Sequence, residues 1–430
     1  MKKIYLILAA VAMILVAACQ KPDTATVNNG QGNYDPSKDP NKPSGVDDTT
    51  IPTDEYLIQT GKALLDAVDV ENWKAEAEFV HKVAKALKEK KWEDETLKNW
   101  AYALSESWQQ EPRKEGNRTI YENIIRLSDA KGHFEEQADG SFKLTQANDL
   151  QITVLVEGER VTATFSCTDS QVPILFSGNT GISSDPETGQ ERIVEHNNLL
   201  YVPTTAVLKI IRGDNSEFAS IVLNASAVVK DPKHIDPYTD SANIDMAVKV
   251  GAYSILVNEL AYSPTGAKVH VKFLKDNASL VSYDIDANYT LNKDTTGPVP
   301  VESGAANAVI DVMGRVQVKA NVPNWETTMK AIMDAEAAQT EEECRAKLDV
   351  FEKSCSVGLY FNGASTARAL LGVELTQGGG SFNPVLRFPD GTSMGVQSYF
   401  TEERFSPLIE YAQKWVKSID SYISELFRDI

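Results

Sequence analysis

Residues 268–291 read KVHVKFLKDNASLVSYDIDANYTL. Val269, Val271 and Phe273 alternate with Lys268, His270 and Lys272. Beyond Lys275-Asp276-Asn277 the alternation resumes, with Tyr283, Ile285, Ala287 and Tyr289 set against Ser282, Asp284, Asp286 and Asn288. Successive side chains of a strand point to opposite faces, so a period of two makes one apolar and one polar face. Asp and Asn at so short a tip fit an antiparallel hairpin. This stretch therefore predicts two long strands folded back on each other.

The same period runs outward from about 134 to 320. Ile152, Val154 and Val156 alternate, as do Val161, Ala163 and Phe165 across the tip Glu157-Gly158-Glu159. Ala206–Arg212 and Phe218–Val229 form another pair through Gly213-Asp214-Asn215. Lys209-Ile210-Ile211-Arg212 followed by Asp214-Asn215 parallels Lys272-Phe273-Leu274-Lys275 followed by Asp276-Asn277, with Ser220 and Ser282 at matching places. The two hairpins read as related units of one sheet. Val309–Val322 is a further strand pair or one long strand. Strands are expected again at 356–361, 367–376 and 384–388, with Gln377-Gly378-Gly379-Gly380-Ser381 as a connector and Pro389-Asp390-Gly391 as a turn.

Helical spacing replaces the period of two on either side. Leu57, Ile58, Gly61, Leu64, Leu65 and Val68 make one stripe; Trp73, Ala77, Val80, Val83, Ala84 and Leu87 a second; Leu97, Trp100, Ala101, Leu104 and Trp108 a third. One-sided stripes pack on each other or on a sheet. Trp73, Trp100 and Trp108 sit inside these stripes, which favours core over sugar stacking. A fourth short helix is expected at Tyr121–Leu127. An inserted pair occupies 324–355: Trp325, Met329, Ile332 and Met333 mark its first member, and Thr340-Glu341-Glu342-Glu343 is a capping box for its second. The closing helix, 407–428, starts with Ser406 as N-cap and Pro407 at the first helical position. Its face of Leu408, Ile409, Ala412, Trp415, Val416, Ile419, Tyr422, Ile423 and Leu426 predicts docking on the sheet. The fold class is α+β: N-terminal helices over 51–133, then over 134–430 a large curved antiparallel sheet of long hairpins, the inserted helix pair and the closing amphipathic helix.

Residues 1–18 read as a secretory signal. Lys2-Lys3 is its positive start, Ile4–Val16 its apolar run and Ala17-Ala18 its small-residue cleavage site. The run is short for a membrane span. Leu15-Val16-Ala17-Ala18-Cys19 resembles a lipobox, which implies that Cys19 is acylated and becomes the first residue after cleavage. Several acyl chains on one residue anchor stably. Residues 19–50 follow as anchor and tether, with prolines at 22, 36, 40 and 43 and no apolar periodicity.

The chain carries 42 Lys+Arg against 61 Asp+Glu, a net charge of -19. Loss of Lys2 and Lys3 with the signal makes the remainder more acidic still. Such a surface repels phosphate backbones, so nucleic acid is not an expected partner. With Cys19 committed to lipid, Cys167, Cys344 and Cys355 remain. At most one bridge can form. Cys344 and Cys355 lie three turns apart on one helix, roughly 16 Å along its axis, and cannot join each other. A bridge from Cys167 to either stays open, beside the reading of all three as small hydrophobes.

With the Cys19 lipobox, Leu127-Ser-Asp-Ala-Lys-Gly-His-Phe134, and Pro384-Val-Leu-Arg-Phe-Pro-Asp-Gly391 leading to Tyr399-Phe400, the chain resembles the uncharacterised exported lipoproteins of Bacteroides-type gut bacteria. The resemblance covers most of the residues after the signal. It implies an outer-membrane lipoprotein on the periplasmic face or cell surface, and no particular activity. Lys and acids just after the Cys can direct such proteins to the surface; here Gln20-Lys21-Pro22-Asp23 has the Lys and one acid, interrupted by Pro.

No catalytic motif survives inspection. Asp284, Asp286 and Asn288 imitate the start of a calcium loop, but Tyr289 stands where Gly belongs and Thr295 where Glu belongs. A half-buried strand with a polar outer face accounts for them better. His81, His133, His196, His234 and His270 are too dispersed for a local zinc motif, so no metal and no cofactor is expected. Ser128-Asp129-Ala130-Lys131 matches Ser-x-x-Lys without its companion motifs. There is no phosphate-cradling glycine loop and no Gly-x-Ser-x-Gly elbow. The expectation is a membrane-anchored, non-enzymatic binding or scaffold protein of the envelope, partnered by an apolar ligand, a glycan or an envelope protein. The alternatives are a hydrolase acting on glycans through paired carboxylates and a purely structural subunit of a surface complex.

Overall fold

The computed structural model describes residues 50–89, 94–184, 191–291, 301–375 and 382–428. The signal, Cys19, nearly all of the tether and the connector at 377–381 lie outside them. Three helices open the described chain: α1 (Thr53–Ala67), α2 (Val70–Glu89) and α3 (Glu95–Ser107). Asp94 caps α3, its carboxylate accepting the N–H groups of Thr96 and Leu97. The chain divides into two units, residues 76–251 and residues 50–75 with 252–428. This division does not follow the helix-to-sheet boundary expected at 133/134.

In the unit of residues 76–251 the strands are β1 (Arg113–Glu115), β2 (Arg118–Ile125), β3 (Gly132–Glu136), β4 (Phe142–Thr145), β5 (Leu150–Val156), β6 (Glu159–Ser184), β7 (Glu191–Ile211), β8 (Glu217–Val228) and β9 (Ser241–Val250). β5 to β9 run antiparallel, each beside the next. Glu157 and Gly158 join β5 to β6, both at positive φ, 50° and 88°. That is the backbone a two-residue hairpin with right-handed strand twist requires. Phe134, Phe142, Val154, Val156 and Val161 form the core, closed by Phe79 and Val83 of α2 and Leu97 and Trp100 of α3. Trp100 meets Phe134 edge-on at 5.2 Å.

Leu127 opens a single 3-10 turn, Leu127–Asp129, but residues 121–125 are strand and not helix. β2 lies there, parallel to β7 from Arg118↔Ile193 to Ile125↔Leu200. Its β-branched and aromatic residues serve either period, and pairing with a strand seventy residues away decides the outcome. β3 is likewise parallel to β5, so the sheet is mixed, though mostly antiparallel. β6 and β7 extend well past the ends expected from apolar alternation.

In the unit of residues 50–75 and 252–428 the strands are β10 (Tyr253–Ser263), β11 (Gly266–Lys275), β12 (Ala278–Leu291), β13 (Val301–Val312), β14 (Val316–Val322), β15 (Ser356–Phe361), β16 (Ala369–Leu375), β17 (Phe382–Arg387) and β18 (Ser393–Gly395). All pair antiparallel in chain order. The hairpin expected at 268–291 forms with Asp276 and Asn277 as its turn, φ 50° and 68°. Val309–Val322 is resolved as a strand pair. The inserted helices are α4 (Trp325–Glu336) and α5 (Glu341–Ser354). The capping box forms in part: Thr340 accepts the Glu343 N–H, while Glu343 reaches back past the cap to the Gln339 N–H. Tyr56 of α1 stacks on Phe361 at 4.4 Å over Val316, one core. Ala335, Cys344 and Leu348 pack with Val373, Leu375 and Phe382, another.

The closing helix α6 (Ser406–Leu426) takes its specific contacts from α1 and the start of α2. The Tyr411 hydroxyl bonds to Asp66, Tyr422 meets Trp73 edge-on at 5.8 Å, and Leu408 lies over Gly61. A Cβ on Gly61 would stand 2.8 Å from a Leu408 methyl, so the glycine in the stripe is what admits α6. Ser406 is not the cap. It is already helical, and its hydroxyl donates to the Glu403 carbonyl.

Candidate functional site

Three segments bound a cleft of about 490 Å³ in the second unit: residues 50–53 entering α1, the turn between β15 and β16, and the turn between β17 and β18. Pockets that take small ligands fall in this size range. The β15–β16 turn opens with Asn362 at φ 51°, and the Arg368 N–H returns to the Leu359 carbonyl. The β17–β18 turn is closed by Phe388 N–H to the Thr392 carbonyl. Asp390 fixes it further, accepting the Thr392 N–H at 2.9 Å and hydroxyl at 2.7 Å. These two bonds, the hydroxyl foremost, hold the Asp390 carboxyl below the usual carboxylate range.

The lining combines Phe388, Pro52 and Pro389 with the guanidinium of Arg368, the carboxylate of Asp390 and threonine hydroxyls. Arg368 is carried over the Phe361 ring at 5.5 Å. Behind Phe388 an aromatic cluster stiffens the wall: Tyr399 lies 5.5 Å from Phe388 and 5.1 Å from Phe400, and Phe400 stacks on Phe405. Among the described residues the lining holds no histidine, cysteine or serine. It offers donors, acceptors and an apolar wall for binding.

A second concavity, about 340 Å³, lies between α5 and β16–β17. Its central ion pair is engaged in structure. Arg387 grips Glu352 at 2.7 Å through both terminal nitrogens, and Glu352 also accepts the Val373 N–H at 2.8 Å. A fork-to-fork pair of this kind ties helix to sheet.

The residues singled out in the sequence do not converge. Asp284, Asp286 and Asn288 stand along one face of β12, where Lys268 faces Asp286 and His270 faces Asp284. They are strand residues, as their alternation indicates. His270 has Asp286 at 3.3 Å and Glu259 at 3.8 Å. His133 bonds Asp149 at 2.8 Å, His196 stacks on Tyr121, His234 lies in the loop after β8 and His81 on α2. Among the described residues no three His, Cys, Asp or Glu are grouped to hold a metal ion. The Ser128 hydroxyl donates to Asp169 at 2.6 Å, and Lys131 contributes its carbonyl to the Trp100 indole. Cys167, Cys344 and Cys355 are all unbridged. Burial, with Glu352 nearby, pushes the Cys355 thiol up, away from reactivity.

Sequence reasoning missed one charged constellation. Glu122 on β2 and Glu195 on β7 share Lys233, at 3.8 and 3.7 Å. Arg113 adds to Glu122 at 3.7 Å and Arg118 to Glu195 at 3.3 Å. The two carboxylates meet only because β2 pairs parallel with β7, which no local pattern announces. With three cations on them, they pin the loop after β8 to the sheet. No protein-family model, curated protein or solved structure matches the chain.

Proposed function

We propose that the protein is a lipid-anchored, non-enzymatic binding protein of the bacterial envelope that takes a glycan in the Arg368–Phe388–Asp390 cleft. The cleft carries this reading: an aromatic edge for the C–H face of a sugar, with a guanidinium, a carboxylate and hydroxyls beside it for its OH groups. The engagement of Ser128, Glu352 and the Glu122–Glu195 pair in structural contacts also favours binding over catalysis. Anchoring rests on Cys19 and the signal before it. Among the described residues no helix is long and apolar enough to cross a membrane. The cleft borders residue 50, the last residue of the expected tether.

Two measurements test the reading. The full chain with Cys19→Ser should appear in the soluble fraction and take up no labelled palmitate; retained label overturns the anchor. The same soluble chain should bind members of a printed glycan set, and Phe388→Ala or Asp390→Ala should weaken that binding about tenfold. Native mass spectrometry of host-derived protein showing a retained lipid, with no glycan bound, overturns the ligand class.

A further inference from the structure

The far half of β6 is an edge. Residues 177–184 pair with β7, from Ser177↔Asn198 to Ser184↔Glu191, and no described strand lies on their other side. In an antiparallel strand every second residue turns its N–H and C=O away from its neighbour. These eight residues thus present a row of open backbone donors and acceptors, and all are exposed. Proteins ordinarily guard such an edge with Lys, Pro, inward-pointing charges or a covering segment. Among the described residues no strand covers this edge, from 170 to 184 no side chain is charged, and from 174 to 184 there is no proline. Ile182 stands 73% exposed at the free edge.

We infer that this edge is an interface between two copies of the chain, which join β6 to β6 antiparallel about a two-fold axis at Thr180. Charge selects the occupant. At a net charge of -19 two copies repel each other over most of their surface. The uncharged run is where they meet without that cost. Side-chain placement selects the register. Gly178, Thr180 and Ile182 share one face, opposite Asn197, Glu195 and Ile193 of β7. Centred on Thr180, Ile182 of each copy lies over Gly178 of the other, and Asn179 lies opposite Gly181. Ile182 and Asn179 then each face a glycine, and the small Ser177 faces Ser183. Thr180 meets itself, a favourable cross-strand pair. A two-fold interface uses one patch twice, so a single self-complementary strand suffices.

The full chain with Cys19→Ser, to remove acylation, should sediment as a monomer–dimer equilibrium. Thr180→Lys sets two ammonium groups face to face and should raise the dimer dissociation constant at least tenfold. Thr180 is exposed, so an unchanged melting temperature shows that the variant folds. Thr180→Cys should form a 180–180 disulfide at least tenfold faster than Ser184→Cys forms its own, because only the residue on the axis meets itself. Mass spectrometry of the linked peptides separates this bond from any made by Cys167, Cys344 or Cys355. A chain that stays monomeric at its highest soluble concentration overturns the inference. So does a dimer indifferent to Thr180→Lys, equal cross-linking at both positions, or an edge that captures extended peptides of other sequence in place of a second copy.

Discussion

Tyr399 shows what burial does to one ionisable group. Its ring is enclosed by Phe388, Phe400 and Phe405, and its hydroxyl is pushed up from 10 to about 12 by burial, with the Asp54 carboxylate adding and the Arg404 guanidinium opposing. The folded state therefore holds this proton more tightly than the unfolded state. Stability from the group is complete below pH 10 and is lost as pH rises from there through about 12. Tyr289, raised by burial, and Tyr411, raised chiefly by its bond to Asp66, titrate in the same direction. Tyr102, raised chiefly by its bond to Glu106, does so too, and Tyr399→Phe keeps the aromatic packing while removing one of these four groups. Thermal melts from pH 9 upward should fall less steeply for this variant, and parallel curves would sink the assignment. Much at this scale was legible. Asp276 and Asn277 announce their turn, and Thr340 and Glu343 their box, because both signals act within four residues. Glu122 and Glu195 were not legible, since their partnership depends on pairing across seventy residues.

The closing helix shows what a stripe does and does not specify. Its apolar face was plain from Leu408 to Leu426, but a stripe names no partner. Packing on the sheet was expected from the stripe; the contacts to α1 and Trp73, which fix where the helix lies, were not. Gly61 is the residue that could have pointed there, since a glycine inside a helical stripe costs about 1 kcal/mol against alanine unless something needs the space. Leu408 needs it. Gly61→Ile should overpack the junction and cost about 1–3 kcal/mol. Leu408→Ala, destabilising alone, should recover part of that cost in the double variant, because the two changes share one space. Strict additivity in denaturant midpoints would show that the side chains do not meet. Strand ends failed for a different reason. Residues 177–184 of β6 contain Ser, Gly, Asn and Thr with one isoleucine, so no alternation marks them, and their pairing with β7 alone makes them a strand. Tyr121–Leu127 erred in the other direction, where β-branched and aromatic residues fit both periods until β7 chose.

At the scale of the whole chain, the order of elements gave α+β, but the division into units was not readable. The expected boundary at 133/134 separated helices from strands. The contacts instead gather α3, the end of α2 and β1–β9 around Phe134, and α1, α4–α6 and β10–β18 around separate cores that include Phe361. Helices thus belong with the strands they cover, as layer packing demands, and chain order obscures this because Tyr56 of α1 packs on Val316 and Phe361, far along the chain. Each unit has the buried apolar cluster that a domain requires. Phe134 and Phe361 are each 1% exposed. Truncating either to Ala should cost about 3–5 kcal/mol, a large part of a typical stability margin. If the clusters support separate cooperative units, the damage stays local. Hydrogen exchange under native conditions should then quicken for residues 94–184 and 191–250 in Phe134→Ala while β11–β14 keep their protection, and Phe361→Ala should reverse the pattern. Equal quickening of both sets by either variant would mean that the two cores open as one, and the division into independently stable units would be wrong.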